Sequence, residues 1–213
     1  MQGDLSLSSC ALVDAAGADS VVAVLSGVQL RSGRRVAGPA FTVRFDPTDD
    51  PAAPFSDYLE LVPEGCVIVL DNAARQGLSV WGGLLTHEAV RRRVAGTLVY
   101  GAVRDIDDAV RLSYPVCSTA ITPASGRGRV RVVATEQPVD IGGVLIEPGD
   151  WICGDADGVV AVPAARAPEL LERAARIEAR DQQIAAYVLA GVPLSLARHA
   201  ANETTTQTNV KPS

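Results

Sequence analysis

The adjacent pair Arg104-Asp105 has the residue types that bind small organic acids and hard cations. It follows an apolar run at residues 96–101 (GTLVYG), which predicts a buried strand, and precedes a short predicted helix at 105–112. Ligands of α/β proteins collect at the carboxyl ends of strands. An aspartate there can hold a divalent cation, and an arginine can bind a carboxylate through two parallel hydrogen bonds. The plainer alternative is that Asp105 only caps the helix and Arg104 lies on the surface.

A second candidate is the glycine pair Gly82-Gly83 in the loop LSVWGGLL (residues 78–85), at the start of a predicted helix over 82–94. The first backbone N–H groups of a helix attract anions, and glycine lets a carboxylate come close. Combined with Arg104-Asp105, the loop predicts a site for a small oxo acid. There a metal would polarise the keto oxygen, and the arginine would neutralise a carboxylate or a developing oxyanion. Alternatively, the glycines only let the helix start close to the sheet.

The amino-acid counts argue against several other kinds of chemistry. The 213-residue chain has 18 arginines but one lysine, Lys211 in the polar C-terminal segment, which disfavours Schiff-base catalysis and a P-loop. Two histidines cannot form a three-histidine zinc site. A net charge of −6 without a dense basic stretch disfavours nucleic-acid binding, and no apolar stretch is long enough to predict a membrane span. Four cysteines without a CxxC motif, and no visible targeting segment, favour reduced thiols in a cytoplasmic protein.

The elements that must position these residues predict one mixed α/β domain. Residues 66–70 (CVIVL) predict a second buried strand. With the helix at 82–94 and the strand at 96–101 it forms a βαβ unit, whose two strands run parallel. From residue 116 to residue 162 the pattern changes to short strands and turns.

A long helix over residues 167–191 is predicted to close the domain. Its apolar stripe is interrupted by a carboxylate, Asp181, which would be costly to bury without a polar partner. The domain is therefore predicted over residues 1–200, and the polar tail at 201–213 is predicted to be disordered. The stripe consists of Leu170, Ala174, Ile177, Ile184 and Val188.

Six segments, in this order along the chain, resemble the RraA-like family: VAGPAFTV, EGCVIVLDNA, LSVWGGLLTHEAV, VAGTLVYGAVRDIDDA, YPV and VDIGGVLIEPGDWICGDADGVVAVP. This family includes class II 4-hydroxy-4-methyl-2-oxoglutarate/4-carboxy-4-hydroxy-2-oxoadipate aldolases and the regulator of ribonuclease activity A. The resemblance implies a three-layer ββα sandwich of the swivelling-domain type with a C-terminal helix. It also implies a homotrimer or hexamer with sites between the subunits.

The resemblance also implies site residues and a reaction. The family's substrate arginine falls on Arg104 and its metal aspartate on Asp105, with Mg²⁺ or Mn²⁺ as the cofactor. The implied substrate is a small 2-oxo acid, cleaved through a pyruvate enolate by retro-aldol reaction of a 4-hydroxy-2-oxo diacid, by oxaloacetate decarboxylation, or both. An acidic residue from a neighbouring subunit's C-terminal helix approaches the metal waters in the aldolases; Asp181, with Glu178 behind it, is the candidate here, unless Asp181 pairs with an arginine of its own helix. The substrate loop falls on Gly82, Gly83, Leu84 and Leu85.

Two departures from the family pattern bear on function. Many of the aldolases carry Glu, Asp or Asn in the loop where this chain has Gly83-Leu84, which affects the expectation of aldol specificity more than that of metal binding. Ribonuclease regulators without enzymatic activity can lack the aspartate after the arginine, whereas this chain retains Asp105. The sequence therefore favours an enzyme, and the alternative is a non-catalytic protein that binds and regulates a ribonuclease.

Overall fold

The computed structural model describes residues 7–18 and 21–208, of which residues 203–208 are described by their backbone alone. Lys211 therefore lies outside the described residues. The helices are α1 (Ser9–Ala16), α2 (Gly83–Arg91), α3 (Ile106–Arg111), α4 (Ala167–Leu189) and α5 (Leu194–Thr208), with a short 3₁₀ helix at Asp57–Leu61. The strands are β1 (Ala23–Val24), β2 (Gln29–Ser32), β3 (Val36–Pro47), β4 (Val67–Asp71), β5 (Ser79–Trp81), β6 (Gly96–Val103), β7 (Val116–Ile121), β8 (Val130–Thr135), β9 (Val139–Ile141), β10 (Val144–Ile146), β11 (Trp151–Gly154) and β12 (Val159–Val162).

Four parallel strands form the centre of a ten-stranded sheet, whose order is β1-β12-β11-β3-β4-β6-β7-β2. The predicted parallel pair is confirmed, because Val67 of β4 lies opposite Gly96 of β6 and Asp71 lies opposite Tyr100. Strand β5 runs parallel to the end of β6, and β8 runs antiparallel to β3. Strands β9 and β10 form a separate hairpin.

The central strands are buried on both faces, which explains their continuous apolar sequences. In β4, Ile68 and Leu70 face a core shared with α2 and α3. Val67 and Val69 face the opposite core, to which β9–β12 contribute. Helices α1 and α4 pack beyond β11 and β12 in a third cluster. The chain is thus a single mixed α/β domain with a layer of strands, a central sheet and a layer of helices, as predicted.

Two features of the C-terminal region bear on the predictions made for it. Asp181 is exposed, because the apolar stripe of α4 changes partner at this point: Leu170 and Ala174 pack with α1 and the sheet, whereas Ile184 packs with α5. The backbone is helical from Leu194 to Thr208, so the predicted domain boundary after residue 200 lies within a helix, and the predicted disorder of the tail stays a prediction. The prediction for residues 209–213 lies outside the described residues.

The four cysteines are free, as their spacing predicted. Burial raises the pKa of the Cys117 and Cys153 thiols to about 12, so both are protonated at neutral pH and are poor nucleophiles. In the described part of the chain, no helix combines the length and the apolar character that a membrane crossing requires.

Candidate functional site

A cavity of about 170 Å³ lies at the carboxyl ends of strands β5 and β6. The N–H of Arg104 donates a hydrogen bond of 3.0 Å to the carbonyl of Trp81 and so joins the two strand ends. The loop that follows β5 and the residues that follow β6 therefore face the same space. The cavity wall contains every residue predicted for the substrate and metal site: Gly82, Gly83, Leu84, Leu85, Arg104 and Asp105.

Asp105 occupies the position that precedes α3, but its side chain does not cap that helix. Its backbone is left-handed, with φ 55° and ψ 41°. Its Oδ2 accepts a hydrogen bond of 3.0 Å from the N–H of Gly83 and lies 3.5 Å from Nε of Arg104. Aspartate is one of the few residues other than glycine that enters this region readily. The simple alternative of a capping aspartate beside an unrelated surface arginine does not describe this geometry.

Both glycines lie in close contact with the charged side chains around them. A Cβ on Gly82 would lie 2.8 Å from Oδ2 of Asp105 and 3.1 Å from Nε of Arg104. A Cβ on Gly83 would overlap Oδ2 of Asp108. Many of the aldolases have a polar side chain in this loop where this chain has Gly83-Leu84. In this chain the carboxylate of Asp108 occupies the space that a side chain at position 83 would need.

The start of α2 is held by a buried hydrogen-bond network that sequence reasoning missed. The hydroxyl of Thr86 donates to the carbonyl of Gly82 at 3.1 Å and accepts a bond of 3.0 Å from the indole N–H of Trp81. The Thr86 N–H also donates to the Gly82 carbonyl, at 3.0 Å. The Trp81 ring stacks on Tyr114 with ring centres 6.1 Å apart. These contacts fix the carbonyl of Gly82 and hence the direction in which the loop enters the cavity.

The start of α2 is where the sequence predicts an anion cradle. The first N–H groups of a helix have no partner within it. The Gly83 N–H is used by Asp105, so the N–H groups of Leu84 and Leu85 are the ones left for a ligand. The side chain of Leu84 is 87% exposed and lies at the rim of the cavity.

Four further wall residues lie outside the segments singled out from the sequence. They come from a segment before β4 and from the loop after β7, and no local signal links these parts of the chain to Arg104 and Asp105. Only the folded sheet brings them together. These residues are Phe55, Ser56, Ser125 and Arg127.

The residues present fit a hydrated magnesium-type ion better than a closed metal site. In the described ranges, 7–18 and 21–208, no cluster of three His, Cys, Asp or Glu side chains is arranged to hold an ion. Asp105 is the carboxylate on the cavity wall, its side chain is 47% exposed, and only its Oδ2 is engaged by Gly83 and Arg104. Mg²⁺ is commonly held by one or two carboxylates and completes its shell with water and substrate oxygens.

Glu178 and Asp181 do not line the cavity of their own chain. Glu178 accepts a hydrogen bond of 2.8 Å from the hydroxyl of Ser8, the residue that caps α1. Asp181 is exposed and forms no ion pair with the described arginines of its helix. Their predicted contribution to a neighbouring subunit's site stays a prediction.

The fold and the cavity define a class of protein: a mixed α/β domain with a small pocket at the carboxyl ends of parallel strands. A family model described as "RraA-like: Aldolase/RraA" matches residues 9–161. The chain belongs to this family, as its sequence motifs predicted.

Relatives with different names are similar to this chain in sequence. The chain is 36% identical over 189 residues to Protein DlpA of Legionella pneumophila, a match that covers 87% of this chain and 30% of that protein. It is 35% identical to a putative 4-hydroxy-4-methyl-2-oxoglutarate aldolase of Halalkalibacterium halodurans, with coverage of 72% and 71%.

The solved structures agree with this assignment. An uncharacterised protein of Pseudomonas syringae superposes with a TM-score of 0.81 at 33% identity, covering 90% of this chain and 92% of that one. RraAS2 of Streptomyces coelicolor, described as an unusual member of the RNase ES inhibitor RraA protein family, gives a TM-score of 0.73 at 30% identity, with coverage of 84% and 91%. The family thus includes proteins named as aldolases and proteins named as ribonuclease inhibitors.

Proposed function

We propose that this protein is a divalent-metal-dependent lyase that cleaves a carbon–carbon bond in a 2-oxo acid. The reaction is retro-aldol cleavage of a 4-hydroxy-2-oxo diacid, decarboxylation of oxaloacetate, or both. The observation that carries the proposal is the left-handed Asp105, whose carboxylate faces Gly83 and Arg104 in the cavity and does not cap α3. The match to a putative aldolase over 72% of the chain gives independent support.

In this proposal each residue of the cavity has a distinct task. Arg104 binds the carboxylate next to the keto group, because a guanidinium matches a carboxylate in both charge and shape. The N–H groups of Leu84 and Leu85 bind further substrate oxygens at the start of α2. Asp105 holds Mg²⁺ or Mn²⁺, and such an ion supplies Lewis-acid polarisation of the keto group.

The bond that breaks leaves its electrons on the pyruvate fragment. In retro-aldol cleavage the 4-hydroxyl gives its proton to water in the open cavity, the C3–C4 bond breaks, and the second product leaves as a carbonyl compound. In the decarboxylation of oxaloacetate the C3–C4 bond also breaks, and C4 leaves as CO₂. Both routes give a pyruvate enolate, which takes up a proton at C3. Arg104 stabilises the negative charge that develops on this fragment, as oxyanion-binding groups do in other enzymes. The described residues include no lysine, so an imine route has no amine there.

The test is pyruvate formation by the full chain from oxaloacetate and from 4-hydroxy-4-methyl-2-oxoglutarate, with Mg²⁺, with Mn²⁺ or with EDTA. We expect turnover that EDTA abolishes. Asp105→Asn should lower the rate by about 10²-fold or more, because it removes the charge that holds the ion. Asp107→Asn, an exposed aspartate that does not line the cavity, is the matched control and should leave the rate unchanged. Turnover in EDTA, or full activity in Asp105→Asn, would contradict the mechanism.

A second candidate function follows from the likeness to RraAS2. In that case the chain binds a ribonuclease and has no lyase activity. The same preparation should then form a stable complex with the ribonuclease in a pull-down and produce no pyruvate under any metal condition. Pyruvate production that depends on Asp105 would reject this candidate as the sole function.

We further propose that the chain assembles as a homotrimer or hexamer with its sites between subunits. Leu84, 87% exposed at the rim of the cavity, is the kind of apolar residue that a neighbouring subunit would cover. Light scattering coupled to gel filtration should give three or six times the chain mass of 22.2 kDa. A monomer that remains fully active would contradict this part of the proposal.

A further inference from the structure

Arg127 provides a second guanidinium group on the wall that contains Arg104. Arg127 is exposed, and within the described parts of the chain its guanidinium forms no ion pair. Arg104, in contrast, lies 3.5 Å from Asp105. The wall therefore contains two guanidinium groups and one carboxylate, which leaves positive charge for a ligand with more than one carboxylate.

The loop that carries Arg127 is fixed to the strand that leads into Gly82. The N–H of Gly126 donates to the carbonyl of Ser79 at 2.8 Å, and the N–H of Ser79 donates to the carbonyl of Ala124 at 2.9 Å. A Cβ on Gly126 would lie 2.8 Å from the Ser79 carbonyl, so the close approach requires glycine. The position of the loop is thus set by β5, which also leads directly into Gly82 and the other residues of the substrate loop that line the cavity.

The backbone around Arg127 is also held within its own turn. Its N–H donates to the hydroxyl of Ser125 at 3.1 Å. The guanidinium of Arg129 donates to the carbonyl of Ser125 at 3.0 Å, and the N–H of Val130 donates to the carbonyl of Gly126 at 2.9 Å. Only the side chain of Arg127 remains to be ordered by a ligand, which keeps the entropic cost of binding low.

We propose that Arg127 is a specificity-determining residue that binds the far carboxylate of a 2-oxo dicarboxylic acid, while Arg104 binds the 2-oxo acid end. This inference rests on the proposed function, because Arg104 and Asp105 define which end of the substrate lies where. Arginine binds carboxylates through charge-assisted, two-point hydrogen bonds. Phe55 and Leu85 line the same cavity and offer apolar surface to the carbon chain between the two carboxylates.

The experiment compares two ligands that differ only at the far end. The first, 2-oxoglutarate, has a second carboxylate; the second, 2-oxopentanoate, has the same chain length and a methyl group there. Binding of each to the full chain is measured by calorimetry with Mg²⁺ at fixed ionic strength. We expect wild type to bind 2-oxoglutarate about tenfold more tightly or better, the usual worth of a charged hydrogen-bonded pair.

Three variants locate the preference. Arg127→Gln should bring the affinity ratio close to one and leave the affinity for 2-oxopentanoate unchanged. Arg127→Lys should retain part of the preference, because it keeps the charge and loses the two-point geometry. Arg131→Gln is the matched control, since Arg131 is an exposed arginine on the neighbouring β8 that does not line the cavity, and it should keep the wild-type ratio.

Equal affinities in wild type, an unchanged ratio in Arg127→Gln, or no binding of 2-oxoglutarate would overturn the inference. Thermal melting checks that each variant folds; if Arg127→Gln does not, the wild-type ratio and Arg127→Lys decide. Metal-dependent turnover with an unchanged ratio in Arg127→Gln would reject the role of Arg127 and leave the lyase proposal standing. If Arg127→Gln loses the preference for 2-oxoglutarate but wild type shows no turnover, the role of Arg127 stands and the lyase proposal is rejected.

Discussion

Replacement of Gly82 by alanine tests whether the cavity depends on the close contact between the loop and Asp105. The backbone of Gly82 is extended, with φ −166° and ψ −170°, so alanine adds no backbone strain. Its Cβ would lie 2.8 Å from Oδ2 of Asp105, which must therefore move about 0.6 Å to reach the 3.4 Å of ordinary contact. A displacement of about 1 Å at reacting groups costs on the order of 10²-fold. We therefore expect Gly82→Ala to lower kcat/KM for pyruvate formation about tenfold or more.

Gly83→Ala is the paired control, because its Cβ would meet a different carboxylate. That Cβ overlaps Oδ2 of Asp108, the end of a partly exposed side chain that does not line the cavity and that pairs with Arg111. Asp108 can rotate away at the loss of a surface ion pair, worth about 1 kcal/mol or less. We expect kcat/KM within about threefold of wild type. Wild-type activity in Gly82→Ala, or an equal loss in both variants, would refute the steric argument.

Three further predictions concern stability. Thr86→Val should lower the free energy of unfolding in urea by about 1–3 kcal/mol, because it leaves the buried indole N–H of Trp81 without its acceptor; an unchanged midpoint would show that another group replaces it. Burial alone would raise the pKa of Asp155, but hydrogen bonds from the N–H and hydroxyl of Ser9 bring it below its usual value. The charged form of Asp155 therefore stabilises the fold above the unfolded-state pKa of about 4, and this contribution is lost as the pH falls through the lower folded-state pKa. The loss of unfolding free energy in Asp155→Asn relative to wild type should therefore be largest at neutral pH and become smaller in acid. Burial raises the pKa of Asp71, so the folded state holds this proton more tightly and loses stability as the pH rises through that pKa. The unfolding free energy of Asp71→Asn relative to wild type should therefore increase from acid to neutral pH. A difference that does not change with pH would contradict this prediction.

The sequence was sufficient to predict the centre of the fold and the principal residues on the cavity wall. Strands β4 and β6 are continuous apolar runs with a helix between them, and this pattern is local and strong. The carboxyl end of a strand is also a position that sequence can locate, so Arg104 and Asp105 were assigned to the same region as the glycine loop. The cavity brings these three features together.

The parts that sequence did not predict depend on contacts between distant segments. Strand β5 has three residues, too few to show an alternating pattern, and it is formed by pairing with β6. Arg127 reaches the cavity because its loop bonds to Ser79, which lies far away in the chain. The exposure of Asp181 follows from the packing of α5 on the end of α4, and α5 itself was not predicted. Periodicity within one segment contains no information on any of these pairings.

The conformation of Asp105 differs from that of an ordinary helix start. An aspartate before a helix normally caps it, which stabilises a protein by about 1 kcal/mol. Asp105 does not cap α3, and its backbone is left-handed, a region that aspartate tolerates better than most residues other than glycine but still enters at a small cost. The carboxylate instead contacts the N–H of Gly83 and the guanidinium of Arg104, which line the same cavity. Asp105 thus has neither the capping role nor the backbone conformation that are usual for an aspartate before a helix. Such departures are expected where a side chain is positioned for a ligand. A purely structural role would have favoured the capping conformation, so the geometry of Asp105 supports a binding function more strongly than the residue types alone.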